Sequence, residues 1–469
     1  MVWAVALPVP QGRQHDVVYL PAQGHQVILG SAGTGKTVMA IHRAFHLADP
    51  RTRDNGCTLL LTYNNSLVTY LRHLARGQST AVTIETYGRF ARGYLHSQGR
   101  MRYNDIARPD VREQLVRTAV SDTATTYKPN TFFDRETDFF LDELAWIDGN
   151  GLATLDDYLA AKRVGRQAPL QDAYRTAVWA IRERYMNARL AAGYPYDWAG
   201  VPSAVRAAQF VDASARRYRH IVVDEAQDLS PDAIRSLAEM IPSDGSLTLF
   251  ADYAQQIYGQ RVSWRSCGLS VAKNEIFLDN YRNSPEIARL AIAMSEMPHF
   301  KDTADLVEPA IARRAAGAPP TLVACDSTAD EARLVASTAA DFGKTVRVGV
   351  LARTRAEARA AVHGLKGVTM LHEDNDSSTW LPPSGVFAGT YHSGKGLEFD
   401  VVFLPFCGAE HRPHADTVAA FGAEEAASRE SRLLYVGVTR ARDELVITHT
   451  GPLTTLLPPS SSGLYQVTP

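Results

Sequence analysis

Eight consecutive residues, Gly30-Ser31-Ala32-Gly33-Thr34-Gly35-Lys36-Thr37, have the makings of a loop that folds around phosphate. The glycines let backbone N–H groups turn inward on anionic oxygens, Lys36 can reach terminal phosphates, and the Thr37 hydroxyl can ligate magnesium. An apolar run, Val27-Ile28-Leu29, precedes the loop and a helix-like stretch, Val38-Met39-Ala40-Ile41, follows it, which is the setting this chemistry requires. ATP with Mg2+ is therefore the expected ligand, and the loop alone does not choose a reaction.

A second constellation supplies acids. Ile221-Val222-Val223-Asp224-Glu225-Ala226-Gln227-Asp228 places carboxylates at the carboxyl end of a buried strand, where open α/β sheets bind ligands. Asp224 is assigned to the metal beside Thr37, and Glu225 to the base that orients and deprotonates the attacking water.

Positioning these groups takes strands and helices in alternation. Apolar runs at Val27–Leu29, Leu59–Leu61, Ile221–Val223 and Leu247–Phe250 read as strands of one parallel sheet, with helical stretches between them. A second series, Thr321–Ala324, Val348–Leu351, Val386–Ala388, Val401–Leu404 and Leu445–Thr448, reads as another sheet. Two sheets predict two α/β domains. Between Phe90 and Ile221, Arg, Ala and aromatic residues recur at helical spacing, which predicts a helical insertion in the first domain. The expected division is 1–90 plus 205–275 for the first domain, 91–204 for the insertion, 276–455 for the second domain and 456–469 for a flexible, Ser- and Pro-rich tail.

Composition narrows the class. The chain has 469 residues, 45% hydrophobic and 21% charged, enough for more than one core. A net charge of -2 and a pI near 6.7 exclude attachment to nucleic acid by bulk charge, so any contact must be a local track of Arg and aromatic residues. No apolar run approaches the roughly 20 residues that span a bilayer, and the start lacks a secretory pattern, so the expected location is cytoplasmic and no membrane contact is expected. Cys57, Cys267, Cys325 and Cys407 have no metal-site spacing; Cys407, His411 and His414 form three potential ligands without a fourth.

Asp-Glu-Ala-Gln-Asp after an apolar strand resembles the second motif of superfamily 1 helicases of the UvrD, Rep and PcrA type. The later motifs follow in order: Leu249 to Tyr258 resembles the third, Leu278-Asp279-Asn280-Tyr281-Arg282-Asn283-Ser284 the fourth, Thr390 to Phe399 the fifth, and Arg432 to Ala441 the sixth. The resemblance implies two RecA-like P-loop domains. It implies that Gln255 senses the terminal phosphate, that Tyr281 stacks on adenine, that Arg282 and Arg440 contact the transferred phosphoryl group, and that Glu398 belongs to the nucleotide site. Gln11 or Gln14 would read adenine, with Gln14 preferred. It further implies a single-stranded DNA path through Thr62, Tyr63, Asn64, Tyr258, Arg261, Thr390 and His392.

The chain departs from the family in places. Gln260-Arg261 stands where the family has Trp-Arg, with the tryptophan displaced to Trp264, and Glu85 or Thr86 falls where a His is common. Phe90 to Asp224 is long enough for the family's helical insertion, 1B, whereas Arg353 to Thr390 is too short for its large insertion, 2B. The expectation is a compact ATP-dependent DNA helicase and translocase, its ATPase stimulated by single-stranded DNA, that moves 3′ to 5′ and acts on single strands and single-strand/duplex junctions, in repair, recombination or defence. The alternative is an ATP-driven regulatory subunit partnered with a protein such as a nuclease.

Overall fold

The computed structural model describes residues 9–62, 65–74, 81–163, 166, 170–252, 264–271, 274–277, 279–300, 311–312, 314–371 and 382–468. Its first sheet has six parallel strands, β1 (Gly24–Gly30), β2 (Thr58–Thr62), β3 (Val82–Thr86), β4 (His220–Val223), β5 (Ser246–Ala251) and β6 (Asn274–Phe277), in the order β3-β2-β4-β5-β1-β6. Every residue of β2, β4 and β5 is buried, as strands covered on both faces must be. Alternate side chains divide between two cores: Leu59, Leu61, Ile221, Val223, Leu247 and Leu249 face one way, and Leu60, Val222 and Phe250 the other. Flanking helices are α1 (Gln14–Val18), α2 (Lys36–Ala48), α3 (Asn65–Leu74) and α4 (Tyr87–Ser97).

Between β3 and β4 the chain also forms α5 (Pro109–Ala124), α6 (Thr137–Gly149), α7 (Leu155–Ala160), α8 (Asp172–Ala191) and α9 (Val201–Gln209), and α10 (Pro231–Met240) follows β4. Helices α5 to α8 enclose a core of their own around Val116, Phe140, Trp146, Tyr158, Val178 and Ile181. Glu143 is fully buried there, held by the Tyr158 hydroxyl at 2.6 Å and by Arg163 at 2.7 Å. A buried charge demands such partners.

A short ladder of β7 (Asp279–Asn280) and β8 (Ile311–Ala312) leads to the second sheet: β9 (Thr321–Cys325), β10 (Arg347–Ala352), β11 (Thr369–Met370), β12 (Gly385–Thr390), β13 (Phe399–Leu404), β14 (Ala441–Thr450) and β15 (Gln466–Thr468). Its seven parallel strands run β11-β12-β10-β13-β14-β9-β15. With it come α11 (Pro285–Ser295), α12 (Thr328–Phe342), α13 (Arg355–Ala361), α14 (Ala415–Phe421) and α15 (Ala423–Val438). Two helix-flanked parallel sheets are the two RecA-like domains expected. Only α13 and β11 are described between β10 and β12, and that connection is too short for a further domain.

The end of the chain corrects the expectation of a flexible tail at 456–469. Leu456, Leu457 and Tyr465 are buried, and β15 pairs with β9. Three apolar anchors outweigh the surrounding Ser and Pro. The helical insertion also touches the second domain directly, because Arg429 of α15 donates to Asp142 of α6 at 2.6 Å and packs over the Phe421 ring; Arg166 binds the same carboxylate. Among the described residues no helix is long and apolar enough to cross a membrane.

Candidate nucleotide-hydrolysis site

The phosphate loop joins β1 to α2. Gly33 and Gly35 have φ of 80° and 82°, values that favour glycine, and each is crowded as well. A Cβ on Gly33 would lie 2.1 Å from Asn280 Oδ1, and one on Gly35 would lie 2.6 Å from Gln14 Nε2. The Tyr281 N–H donates to the Gly33 carbonyl at 2.8 Å, so residues leading into the second domain close one side of the loop. Ser31, Ala32 and Thr34 are buried, with the Thr34 hydroxyl donating to the Ser31 carbonyl at 2.9 Å.

Lys36, at the start of α2, donates to the Gly30 and Ser31 carbonyls at 2.8 and 2.7 Å and pairs with Asp252 at 3.3 Å. The Thr37 hydroxyl donates to Asp224 Oδ2 at 2.7 Å, while buried Asp224 Oδ1 makes no hydrogen bond. A glycine-containing loop at the start of α2, together with a carboxylate oxygen left over beside a hydroxyl, fits a nucleotide phosphate chain and its magnesium ion. Burial, reinforced by the charge of Glu225, lifts Asp224 to about 7.

Glu225 follows β4 in the left-handed region, φ 56°, a conformation that costs a non-glycine residue energy and clusters at functional positions. Gln227 fixes its side chain: the amide nitrogen donates to Glu225 Oε2, and the amide oxygen accepts from the Asp252 N–H at 2.8 Å. Burial alone would raise Glu225, yet the charges of Lys395, Lys36 and Arg440 hold it below the usual carboxylate range. Two adjacent acids are thus driven in opposite directions, which separates their roles.

The remaining cations arrive from the second domain. Arg282 donates through Nε to Glu398 at 2.7 Å. Arg440, fully buried just beyond α15, is held by the Val436 carbonyl at 3.1 Å and the Leu397 carbonyl at 3.4 Å, and burial with the nearby Arg282 charge lowers it to about 10. Lys395 donates to Asp228 at 2.7 Å in a fully buried pair that links the two domains. The structure therefore brings Lys36, Thr37, Asp224, Glu225, Arg282, Glu398 and Arg440 into one cleft.

Other expectations fare differently. Gln14 lies against the loop, but its amide is spent on the protein, donating to the Thr34 carbonyl at 2.9 Å and accepting from the Gln11 N–H at 2.8 Å. It braces the loop. The Tyr281 hydroxyl donates to Asp279 at 3.4 Å. Gln255, Tyr63, Asn64, Tyr258 and Arg261 lie outside the described residues. Thr62 and Thr390 end β2 and β12, at the carboxyl edges of their sheets, and His392 is pushed down to about 4 by burial and then by Arg353 and Lys395. Cys407 is buried with its thiol turned to the Leu404 carbonyl at 3.4 Å, and among the described residues no three His, Cys, Asp or Glu side chains gather as a metal site. Sequence reading assigned no role to Gln227, Asp252, Asn280 or Lys395, although each stands inside or beside a motif.

The profile of the UvrD/REP helicase N-terminal domain matches residues 11–274, and that of the UvrD-like helicase C-terminal domain matches residues 365–451. The chain belongs to the UvrD-like helicases, enzymes of the ATP-dependent DNA helicase class. It is 25% identical to the ATP-dependent DNA helicase UvrD2 of Mycobacterium tuberculosis over 551 aligned residues, which cover 93% of this chain and 78% of that one. That alignment exceeds the 469 residues present here, so the relative carries segments without a counterpart. A probable DNA helicase II homolog of Rickettsia conorii is 35% identical over 23% of this chain and 16% of its own length. The ATP-dependent DNA helicase PcrA of Staphylococcus aureus is 32% identical over 20% of this chain and 13% of its own.

Proposed function

We propose that the chain is a single-stranded-DNA-stimulated ATPase that moves along the strand 3′ to 5′. One observation carries this reading: Lys36, Asp224 and Glu225 of the first domain share a cleft with Arg282, Lys395 and Arg440 of the second. Hydrolysis at such a site needs both domains in contact, so nucleotide turnover is coupled to their relative motion.

In this reading Lys36 leaves its carbonyl partners for the terminal phosphates, and Thr37 and Asp224 hold magnesium, which neutralises phosphate charge. Glu225, kept ionised by its cationic neighbours and aimed by Gln227, orients and deprotonates water. Arg282 and Arg440 stabilise charge on the transferred group. Gln255 is assigned to sensing that group, and Tyr281 to the base. The strand would run past Thr62, Tyr63, Asn64, Tyr258, Arg261, Thr390 and His392. The proposed division into 1–90 plus 205–275, 91–204 and 276–455 gives a motor without a 2B domain.

The short connection from β10 to β12 favours a second reading, in which the chain is an ATP-driven subunit of a larger assembly, with a nuclease as partner and little autonomous unwinding. Phosphate release with and without single-stranded DNA, followed by strand displacement on tailed duplexes of both polarities, decides between them. Stimulation with displacement from 3′ tails supports the motor. No stimulation of the folded protein would overturn it, and stimulation without displacement would leave the second reading in possession.

A further inference from the structure

Trp198 leaves 47% of its surface exposed, although the turn that carries it is tightly held. Its neighbour Asp197 is fully buried, accepts from the Tyr185 hydroxyl at 2.6 Å and the Gly200 N–H at 2.9 Å, and pairs with Arg112 at 3.4 Å and Arg189 at 3.3 Å. On the other side, the Tyr196 N–H donates to the Asp105 carbonyl at 3.0 Å, and the Tyr196 carbonyl accepts from the Ala107 N–H at 2.8 Å. An indole on so rigid a mount is presented at little cost in conformational entropy.

Its position is equally specific. The six-membered ring rests on Gly88, where a Cβ would lie 3.0 Å from Trp198 Cζ3. Gly88 is the second residue of α4, whose N-cap, Thr86, pairs in register with Thr62 at the carboxyl edge of the first sheet. Thr62, Thr86, Gly88 and Trp198 are thus linked in turn by strand pairing, by the start of α4 and by the ring contact. One turn beyond Gly88 on the same face of α4, Arg92 lies over the Tyr103 ring at 5.2 Å, and Tyr103 is 79% exposed. Arg89 is exposed beside Gly88, and among the described residues its guanidinium has no hydrogen-bond or ion-pair partner.

We propose that Trp198, flanked by Arg89 and Arg92, is a base-stacking step for single-stranded nucleic acid, extending the path from the sheet edge onto the outer face of α4. Every base offers a π face to an indole, and arginines without carboxylate partners offer charge to the phosphates, so the step is indifferent to sequence. The inference rests on the single-strand-binding function proposed above.

Titration of the full chain with fluorescently labelled oligo-dT tests it, at one salt concentration for the Trp198 variants and across a salt series for the arginine variant. Trp198→Ala is expected to weaken binding about tenfold, Trp198→Phe to restore most of it, and Arg89→Ala with Arg92→Ala to reduce the slope of log K against log salt by about one unit. Hydrolysis of ATP without DNA stays unchanged in all of them. Wild-type-like affinity in a folded Trp198→Ala protein overturns the stacking step while leaving the motor reading intact. Failure of the wild-type protein to bind single strands at any salt sinks both. A loss in Trp198→Ala that Trp198→Phe does not recover also counts against stacking, because an aromatic face is all the step requires.

Discussion

The nucleotide cleft and the outer face of α4 both carry arginine or lysine, and they differ in what those cations touch. In the cleft each is already matched: Lys36 with carbonyls and Asp252, Arg282 with Glu398, Lys395 with Asp228, Arg440 with carbonyls of its own domain. On α4, Arg89 has no carboxylate partner among the described residues and Arg92 lies on an exposed ring. A matched cation can act on a ligand only by exchanging one partner for another, whereas an unmatched one needs no rearrangement. Chemistry that must be switched sits in the first region, and contact that must form and break along a polymer suits the second.

The sharpest way to break the cleft is to remove its mobile cation. Lys36→Ala should lower ATP turnover on the order of a thousandfold or more, with circular dichroism unchanged, and steady-state phosphate release measures it. Residual turnover near the wild-type rate would show that the loop does not hold the reacting phosphates. Lys395→Ala should act on stability as well as on rate. It strands Asp228 in a buried site, and loss of one member of a buried pair costs about 3–5 kcal/mol. Denaturant unfolding should show the loss, and Lys395→Met combined with Asp228→Leu should recover part of it.

The smallest effect concerns His392. Its native pKa is pushed down to about 4, so the folded protein keeps the ring neutral while the unfolded chain takes up a proton below its ordinary value near 6.5. Stability therefore falls as pH drops from about 6.5 toward 4 and levels off below that. His392→Gln should flatten this part of a melting-temperature profile and leave the region above pH 7 unchanged; a difference confined to alkaline pH would contradict a neutral His392. A neutral ring also gives no phosphate charge contact, in contrast to Arg89.

Much of this was legible in the residues. Apolar runs located the central strands because full burial on two faces demands them, and the phosphate loop was readable because its glycines and lysine act within a few positions of one another. β3 escaped notice as a strand: Val82-Thr83-Ile84-Glu85-Thr86 lies at the sheet edge with only Ile84 buried. The ion pairs of the cleft escaped for another reason. Lys395 and Asp228, across the domains, lie 167 positions apart, and even within the second domain Arg282 and Glu398 lie 116 apart, so no local pattern connects them. Gln14 shows the converse, since its type suited a base but its amide is taken by the loop it braces. The terminal segment was misjudged by composition, since three anchors suffice to order a polar stretch.

Helix α15 gives these contacts a mechanical meaning. It is a rod of 16 residues, roughly 24 Å long. Near its middle Arg429 grips Asp142 of the helical insertion, and just past its far end Arg440 enters the nucleotide cleft. In the proposed motor, force applied to the insertion would be carried along that rod toward Arg440 and the nucleotide cleft. The same stiffness would work in reverse, a displacement of Arg440 pulling at the grip on Asp142.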